Sequence, residues 1–197
     1  MAASTPRLVD RTYPFWALLA LPAVYFVADD LTHGGPDPYF RWTGLLSCWL
    51  LIVSMMITPL MLMLGKQGWL LWLKDRRRYI GVASFGYAAL HLVYWLKHAT
   101  VLSFLKSFVR IEVLPGWIAF FIMAAMAWTS TDAAVRRMGP GWKRLQRWVY
   151  AAAALTFAHW VLTSEHLWEP LVYSAPLVGV SIWRVLRARN RRSGTAA

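Results

Sequence analysis

Tyr79-Ile80-Gly81-Val82-Ala83-Ser84-Phe85-Gly86-Tyr87-Ala88-Ala89-Leu90-His91-Leu92-Val93-Tyr94-Trp95-Leu96 contains no Asp, Glu, Lys or Arg, yet a histidine sits well inside it. A helix needs about 20 mostly apolar residues, with a range of roughly 17–25, to cross the hydrocarbon core of a bilayer. The stretch is therefore read as a spanning helix that carries an ionisable group. Arg76, Arg77 and Arg78 mark its N-terminal border.

Outward from this stretch, five further apolar segments follow the same pattern: 13–28, 42–64, 117–128, 147–162 and 170–185. Segment 117–128 is short and reaches spanning length if 111–114 or 129–131 join it. The expected fold class is all-α: a polytopic membrane helix bundle of six transmembrane helices. Composition agrees, because the 197 residues are 58% hydrophobic and only 15% charged, where a soluble domain carries about 25% charged residues. Arg7 and Arg11 precede the first segment, as they would a secretory signal. Its end, Phe26-Val27-Ala28-Asp29-Asp30, lacks the small-x-small cleavage pattern, so it is read as an uncleaved first span.

Lys and Arg total 21 against 9 Asp and Glu. These cations are confined to short clusters between apolar runs. That argues for membrane topology and against a nucleic-acid partner. Arg7 and Arg11, the cluster from Lys66 to Arg78, the cluster from Arg136 to Arg147, and the cluster from Arg184 to Arg192 alternate with loops that hold only Arg41, Lys97, Lys106 and Arg110. The positive-inside bias places both termini in the cytoplasm. The expected organisation is a cytoplasmic tail over 1–12, a six-helix domain over 13–187 and a disordered cytoplasmic tail over 188–197. Cys48 is the single cysteine, which excludes an internal disulfide and an iron–sulfur cluster held by this chain alone. It is read as a small packing residue.

Ionisable residues inside a span are costly and point to function. His91 lies twelve residues beyond Tyr79, and His159 lies twelve beyond Arg147. At 1.5 Å per residue each is about 18 Å from the cytoplasmic end of its span, so the two share a level. Two imidazoles at one level on facing helices can supply both axial positions of a haem. Small residues precede both, among them Gly81, Ser84, Ala88 and Ala151–Ala154, as a flat macrocycle between helices requires. The competing reading is that the small residues serve close helix packing and the histidines make packing hydrogen bonds. His98 and His166 each follow by seven residues, which would put each pair on one helix face and a second rung about 10.5 Å further out. That spacing crowds a second haem. His98 and His166 are read as haem-propionate partners, docking groups or plain interfacial residues. His33, in the polar stretch 32–38, is read as solvated.

Arg76-Arg77-Arg78-Tyr79-Ile80-Gly81 with Tyr87 and Leu90-His91, Thr58-Pro59-Leu60, Thr129-Ser130-Thr131, Arg136-Arg137-Met138-Gly139, Trp142-Lys143-Arg144-Leu145-Gln146-Arg147-Trp148-Val149-Tyr150, and Glu169-Pro170-Leu171-Val172-Tyr173 occur in this order. Together, over residues 42–187, they resemble the MsrQ (YedZ) family within the ferric-reductase-like transmembrane group. That family is the haem-binding membrane subunit of a periplasmic methionine sulfoxide reductase system. The resemblance implies haem b with His91 and His159 as axial ligands, in a bacterial inner membrane. It implies electron transfer from the quinone pool or a cytoplasmic flavin reductase to a periplasmic molybdopterin methionine sulfoxide reductase. It also implies FMN, whose phosphate Arg77, Arg78 and Arg144 would contact; these arginines could equally reach haem propionates, or serve only as a positive-inside anchor. Where the family has a second histidine, thirteen residues before the ligand, this chain has Gln146. Glutamine is a poor iron ligand, so one haem is expected.

Two other functions fit the sequence: a ferric or metal reductase with another acceptor, and a haem-free transporter or assembly protein. The tails are short for a fused flavin or nicotinamide domain, which disfavours a self-contained enzyme. The expected role is an electron-transfer subunit, with the sulfoxide chemistry on a partner.

Overall fold

The structure, a computed structural model, describes residues 13–33 and 39–193, the side chains of 185 and 188–193 excepted. The expected tail over 1–12 lies outside the described residues. Every regular element described is a helix: α1 (Tyr13–His33), α2 (Tyr39–Leu64), α3 (Gly68–His98), α4 (Val101–Ser107), α5 (Leu114–Trp128), α6 (Asp132–Met138), α7 (Pro140–Gln146), α8 (Val149–Thr163) and α9 (Trp168–Ser193). Each of the six apolar segments falls on one helix, except that residues 147–148 of the fifth precede α8. Three helices, α1, α2 and α3, are long and apolar enough to cross a membrane. The α5–α6 pair passes the same test jointly but is bent by 94°. Large apolar side chains such as Leu18, Leu21, Val24 and Ile182 stand more than half exposed, an outer surface suited to lipid rather than water.

α2 and α3 run antiparallel in tight contact. Ser47 Oγ donates to the Ser84 carbonyl at 2.9 Å, and Ser84 Oγ donates to the Ser47 carbonyl at 2.8 Å. Small hydroxyl residues let the backbones approach and join them by hydrogen bonds, the usual way helices associate in lipid. Arg77 Nη1 donates to Thr58 Oγ1 at 3.3 Å near the other end of the pair. α1 leans on this hairpin: Phe15 packs with Ile57 and Ile80, and Tyr87 Oη donates to the Leu19 carbonyl at 2.8 Å. The link between α2 and α3 turns at Gly65, whose φ of +79° favours glycine.

α5 and α8 form a second antiparallel hairpin, shorter at 15 residues per helix. α5 starts at Leu114 with Pro115 in its first turn and ends at Trp128, so only Leu114 of the 111–114 extension joins it. The 129–131 extension does not join, because Thr129 caps α5 and Thr131 caps α6, where its hydroxyl accepts from the Ala134 N–H at 3.2 Å. Trp142 Nε1 donates to the Thr129 carbonyl at 3.0 Å and folds α7 back over the end of α5. α8 begins at Val149, not at Arg147. The turn at Arg147 and Trp148 separates it from α7, so Gln146 and His159 do not share one helix. α9 runs to Ser193, past the expected boundary at 187, while 194–197 lie outside the described residues.

Candidate functional site: two tethered histidines on one cavity

His91 sits in the last two turns of α3, opposite the start of α2. Its Nδ1 lies 2.8 Å from the Phe40 carbonyl oxygen. His159 sits near the end of α8, opposite the start of α5. Its Nδ1 lies 2.9 Å from the Glu112 carbonyl oxygen. A carbonyl can only accept, so in both rings Nδ1 carries the proton and donates it. Nε2 is then the unprotonated nitrogen, free to offer its lone pair. A metal-bound histidine is oriented in this way, with the second ring nitrogen tied to a carbonyl or carboxylate.

The two sites share a further feature. A Cβ on Gly44, four residues after Phe40, would stand 3.0 Å from His91 Nδ1. A Cβ on Gly116, four residues after Glu112, would stand 2.9 Å from the His159 ring. Each imidazole therefore lies in a notch made by a glycine, with its N–H on the carbonyl one turn earlier. Phe40 also stacks on the His91 ring, with centroids 4.3 Å apart and planes at 18°. Gly44, Gly116 and the two carbonyls did not emerge from the sequence. The available signal was a glycine in the first turns of two apolar helices.

Both histidines line one cavity of about 480 Å³ between the two hairpins, within the roughly 300–1,000 Å³ usual for cofactor and small-molecule sites. Gly44, Ala88, Gly116 and Ala119 keep its walls low, and Phe120, Trp160 and Met123 supply apolar surface. Among the described residues no cluster of three or more His, Cys, Asp or Glu could hold a bare metal ion. The donor set is a pair of imidazoles, which suits the axial positions of a metal already held in a macrocycle. The residues present thus fit a haem: two Nε2 donors, one cavity and small-residue walls.

The other expected site residues are placed as follows. His166 lines the cavity mouth but lies in the turn after α8, where its N–H donates to Ser164 Oγ at 3.3 Å, so the expected shared face with His159 does not form. His98 ends α3, exposed and away from the cavity lining. His33 ends α1 rather than lying in a loop, 76% exposed and 3.0 Å from Asp29. Gln146 Nε2 donates to the Met126 carbonyl at 3.3 Å. Its counterpart thirteen residues before His91 is Arg78, which pairs with Asp132 at 2.6 Å. Neither position offers an iron ligand. Arg77 and Arg78 are engaged with Thr58 and Asp132, and Arg144 is exposed on α7.

Antiparallel apolar hairpins that hold two tethered imidazoles over one cavity define a membrane protein with a paired-histidine cofactor site. The chain belongs to the family described as ferric reductase like transmembrane component, which matches residues 43–157. That range takes in Gly44, His91 and Gly116 and stops two residues short of His159. Among relatives, the chain is 35% identical to the protein-methionine-sulfoxide reductase heme-binding subunit MsrQ of Bordetella pertussis, over 99% of this chain and 98% of that protein. It is 30% identical to the MsrQ of Azospira oryzae, over 96% of this chain and 84% of that one. It is also 31% identical to the magnetosome protein MamZ of Magnetospirillum gryphiswaldense, over 90% of this chain but only 29% of MamZ. No solved structure matches the chain.

Proposed function

We propose that this protein is the membrane haem subunit of a methionine sulfoxide reductase system, carrying electrons across the bacterial inner membrane to a periplasmic reductase. The observation that carries the reading is the matched pair of Nδ1–carbonyl bonds, which leaves two Nε2 atoms as donors on one cavity. Near full-length similarity to proteins named as heme-binding MsrQ subunits supports it. His91 and His159 would hold one b-type haem through their Nε2 atoms, and its iron would supply one-electron chemistry when bound. The chain's own part is to fix both rings, exclude water with apolar walls and hold the site within the membrane.

The topology that goes with this function is six spans with both termini cytoplasmic. It is supported by the basic clusters that alternate between the ends of the apolar segments, and three helices, or four with the bent α5–α6 pair, are long and apolar enough to cross. The site then lies toward the periplasmic end, about 20 Å along α3 from Arg78. Electrons arriving from quinol or a flavin reductase leave on that side. FMN rests on family resemblance alone; a phosphate at Arg78 would share its guanidinium with Asp132, which engages one nitrogen.

The absorption spectrum of the purified protein tests the reading. A low-spin haem signature is expected, and it should be lost in both His91→Ala and His159→Ala. Retention in both variants sinks the ligand assignment. A wild-type protein without a Soret band after haem supplementation sinks the haem reading and leaves a haem-free transporter. Co-purification with a periplasmic molybdoenzyme, or reduction of ferric iron without one, separates the sulfoxide reductase subunit from a metal reductase.

A further inference from the structure

The charged residues of the cavity gather at one end. Arg41, Glu165, His166 and Glu169 line its mouth, while the remainder is apolar or carries only small hydroxyls and the two tethered imidazoles. Arg41 is the one Lys or Arg among the described lining residues. It follows Phe40, whose carbonyl holds His91, so the guanidinium stems from the turn that orients the ligand ring. Its Nη2 donates to Glu169 Oε1 at 2.7 Å. The two partners differ in exposure: the Glu169 side chain is 8% exposed and the Arg41 side chain 62%. A guanidinium has five N–H donors in a planar fork, and this contact uses one nitrogen.

We infer that Arg41 is the anchor for the carboxylate arms of the bound porphyrin, with Glu169 orienting the guanidinium from the first turn of α9. This rests on the haem reading. The chemistry is that of any haem: its propionates are two carboxylates on one edge, and an apolar wall cannot accept them without a large desolvation cost. Only the mouth offers a cation, and arginine pairs with carboxylates through parallel N–H···O bonds. The cofactor edge that bears the acids therefore faces Arg41 and the Glu165–Glu169 turn. Arg77, Arg78 and Arg144 are not among the lining residues of this cavity. Glu169 lies buried beside a cation that keeps donors for a second carboxylate, so Arg41 bridges protein and ligand.

The test compares two iron porphyrins on the full-length apoprotein in detergent: haem, and haem dimethyl ester, whose propionates are neutral. Binding is followed by the low-spin absorption band. In the wild type, haem should bind about tenfold more tightly than the ester, the lower range for a charge-assisted hydrogen bond. Arg41→Gln should remove that tenfold preference while leaving ester affinity unchanged, and Arg41→Lys should retain part of it. Arg41→Gln leaves Glu169 buried without a cation; if it fails to fold, Arg41→Gln/Glu169→Gln carries the same expectation. Equal losses for haem and ester would make the ion pair a mere cross-link between α2 and α9 and overturn the inference. So would a wild type that binds both porphyrins equally well. If neither porphyrin gives a low-spin band in the wild type, the haem reading falls and this inference with it.

Discussion

In the first hairpin, helices of 26 and 31 residues pair along their length, joined by the reciprocal Ser47–Ser84 bonds. In the second, helices of 15 residues each are linked through two bent pieces, α6 and α7. The two differ in length, in connection and in what fills their far ends, where one carries Arg77 and Arg78 and the other Gln146. Yet at the near end each builds the same unit: a carbonyl, a glycine one turn later and a histidine across from both. The difference teaches which part of the fold the function uses. Only the last turns at one end of each hairpin are matched, and the rest of each hairpin is free to serve packing and topology.

The largest effect should come from filling the notches. Gly44→Leu and Gly116→Leu each place a branched side chain where an imidazole ring now lies, and both should abolish low-spin haem as completely as loss of the histidine. If either variant keeps the wild-type spectrum, the two ends are not equivalent and the comparison breaks. Gly→Ala sharpens it. The new Cβ at position 116 would meet His159 Nδ1, Cγ and Cδ2 at 2.9, 3.0 and 3.1 Å, whereas the one at position 44 meets two His91 atoms at 3.0 and 3.1 Å and a third at 3.7 Å. Overpacking of this kind costs about 1–3 kcal/mol. Gly116→Ala should therefore weaken haem binding more than Gly44→Ala, by a few-fold, in a titration followed by the Soret band.

The contrast between the ends also explains what could be read from the sequence. Long charge-free runs placed α1, α2 and α3, because the cost of burying charge in lipid acts on each segment alone. His91 and His159 were legible for the same reason. Gly44 and Gly116 were not, since each acts on a ring more than forty residues away and matters only once the partner helix is known. The break between α7 and α8 was hidden because Arg147 and Trp148 are neither glycine nor proline. His166 was misplaced in consequence of treating α8 as running on beyond Thr163, where Ser164 in fact ends it.

A smaller effect is expected where the first hairpin has what the second lacks. Ser47→Ala and Ser84→Ala each remove one of the reciprocal bonds. Side-chain hydrogen bonds between helices in a bilayer average about 0.6 kcal/mol, so the double variant should lose roughly 1 kcal/mol of stability in a detergent-unfolding titration. Haem affinity should fall less than in Gly44→Ala, because Ser47 lines the cavity one turn beyond the notch but touches neither ring. A loss of haem equal to that of Gly44→Ala would show that spacing along the whole hairpin, and not the end unit alone, sets the site.

The smallest effect should be at Glu112, and it separates backbone from side chain. The His159 ring is held by the carbonyl oxygen of this residue, which any substitution retains. The carboxylate is engaged elsewhere: its own backbone N–H, and then Arg110 through a 2.7 Å bond from Nε, hold its pKa below the usual carboxylate range. A depressed folded value means that the carboxylate contributes its stability above the unfolded pKa of about 4.3 and loses it as pH falls through the lower folded value. Between pH 7 and pH 5 the Glu112 carboxylate stays ionised. Glu112→Gln should accordingly leave the low-spin spectrum and the haem affinity at their wild-type values across that interval, while Glu112→Pro, which alters the backbone at the carbonyl itself, should not. A spectral change in Glu112→Gln at pH 7 would mean that the side chain, rather than the carbonyl, orients His159, and the likeness between the two hairpins would reduce to their glycines.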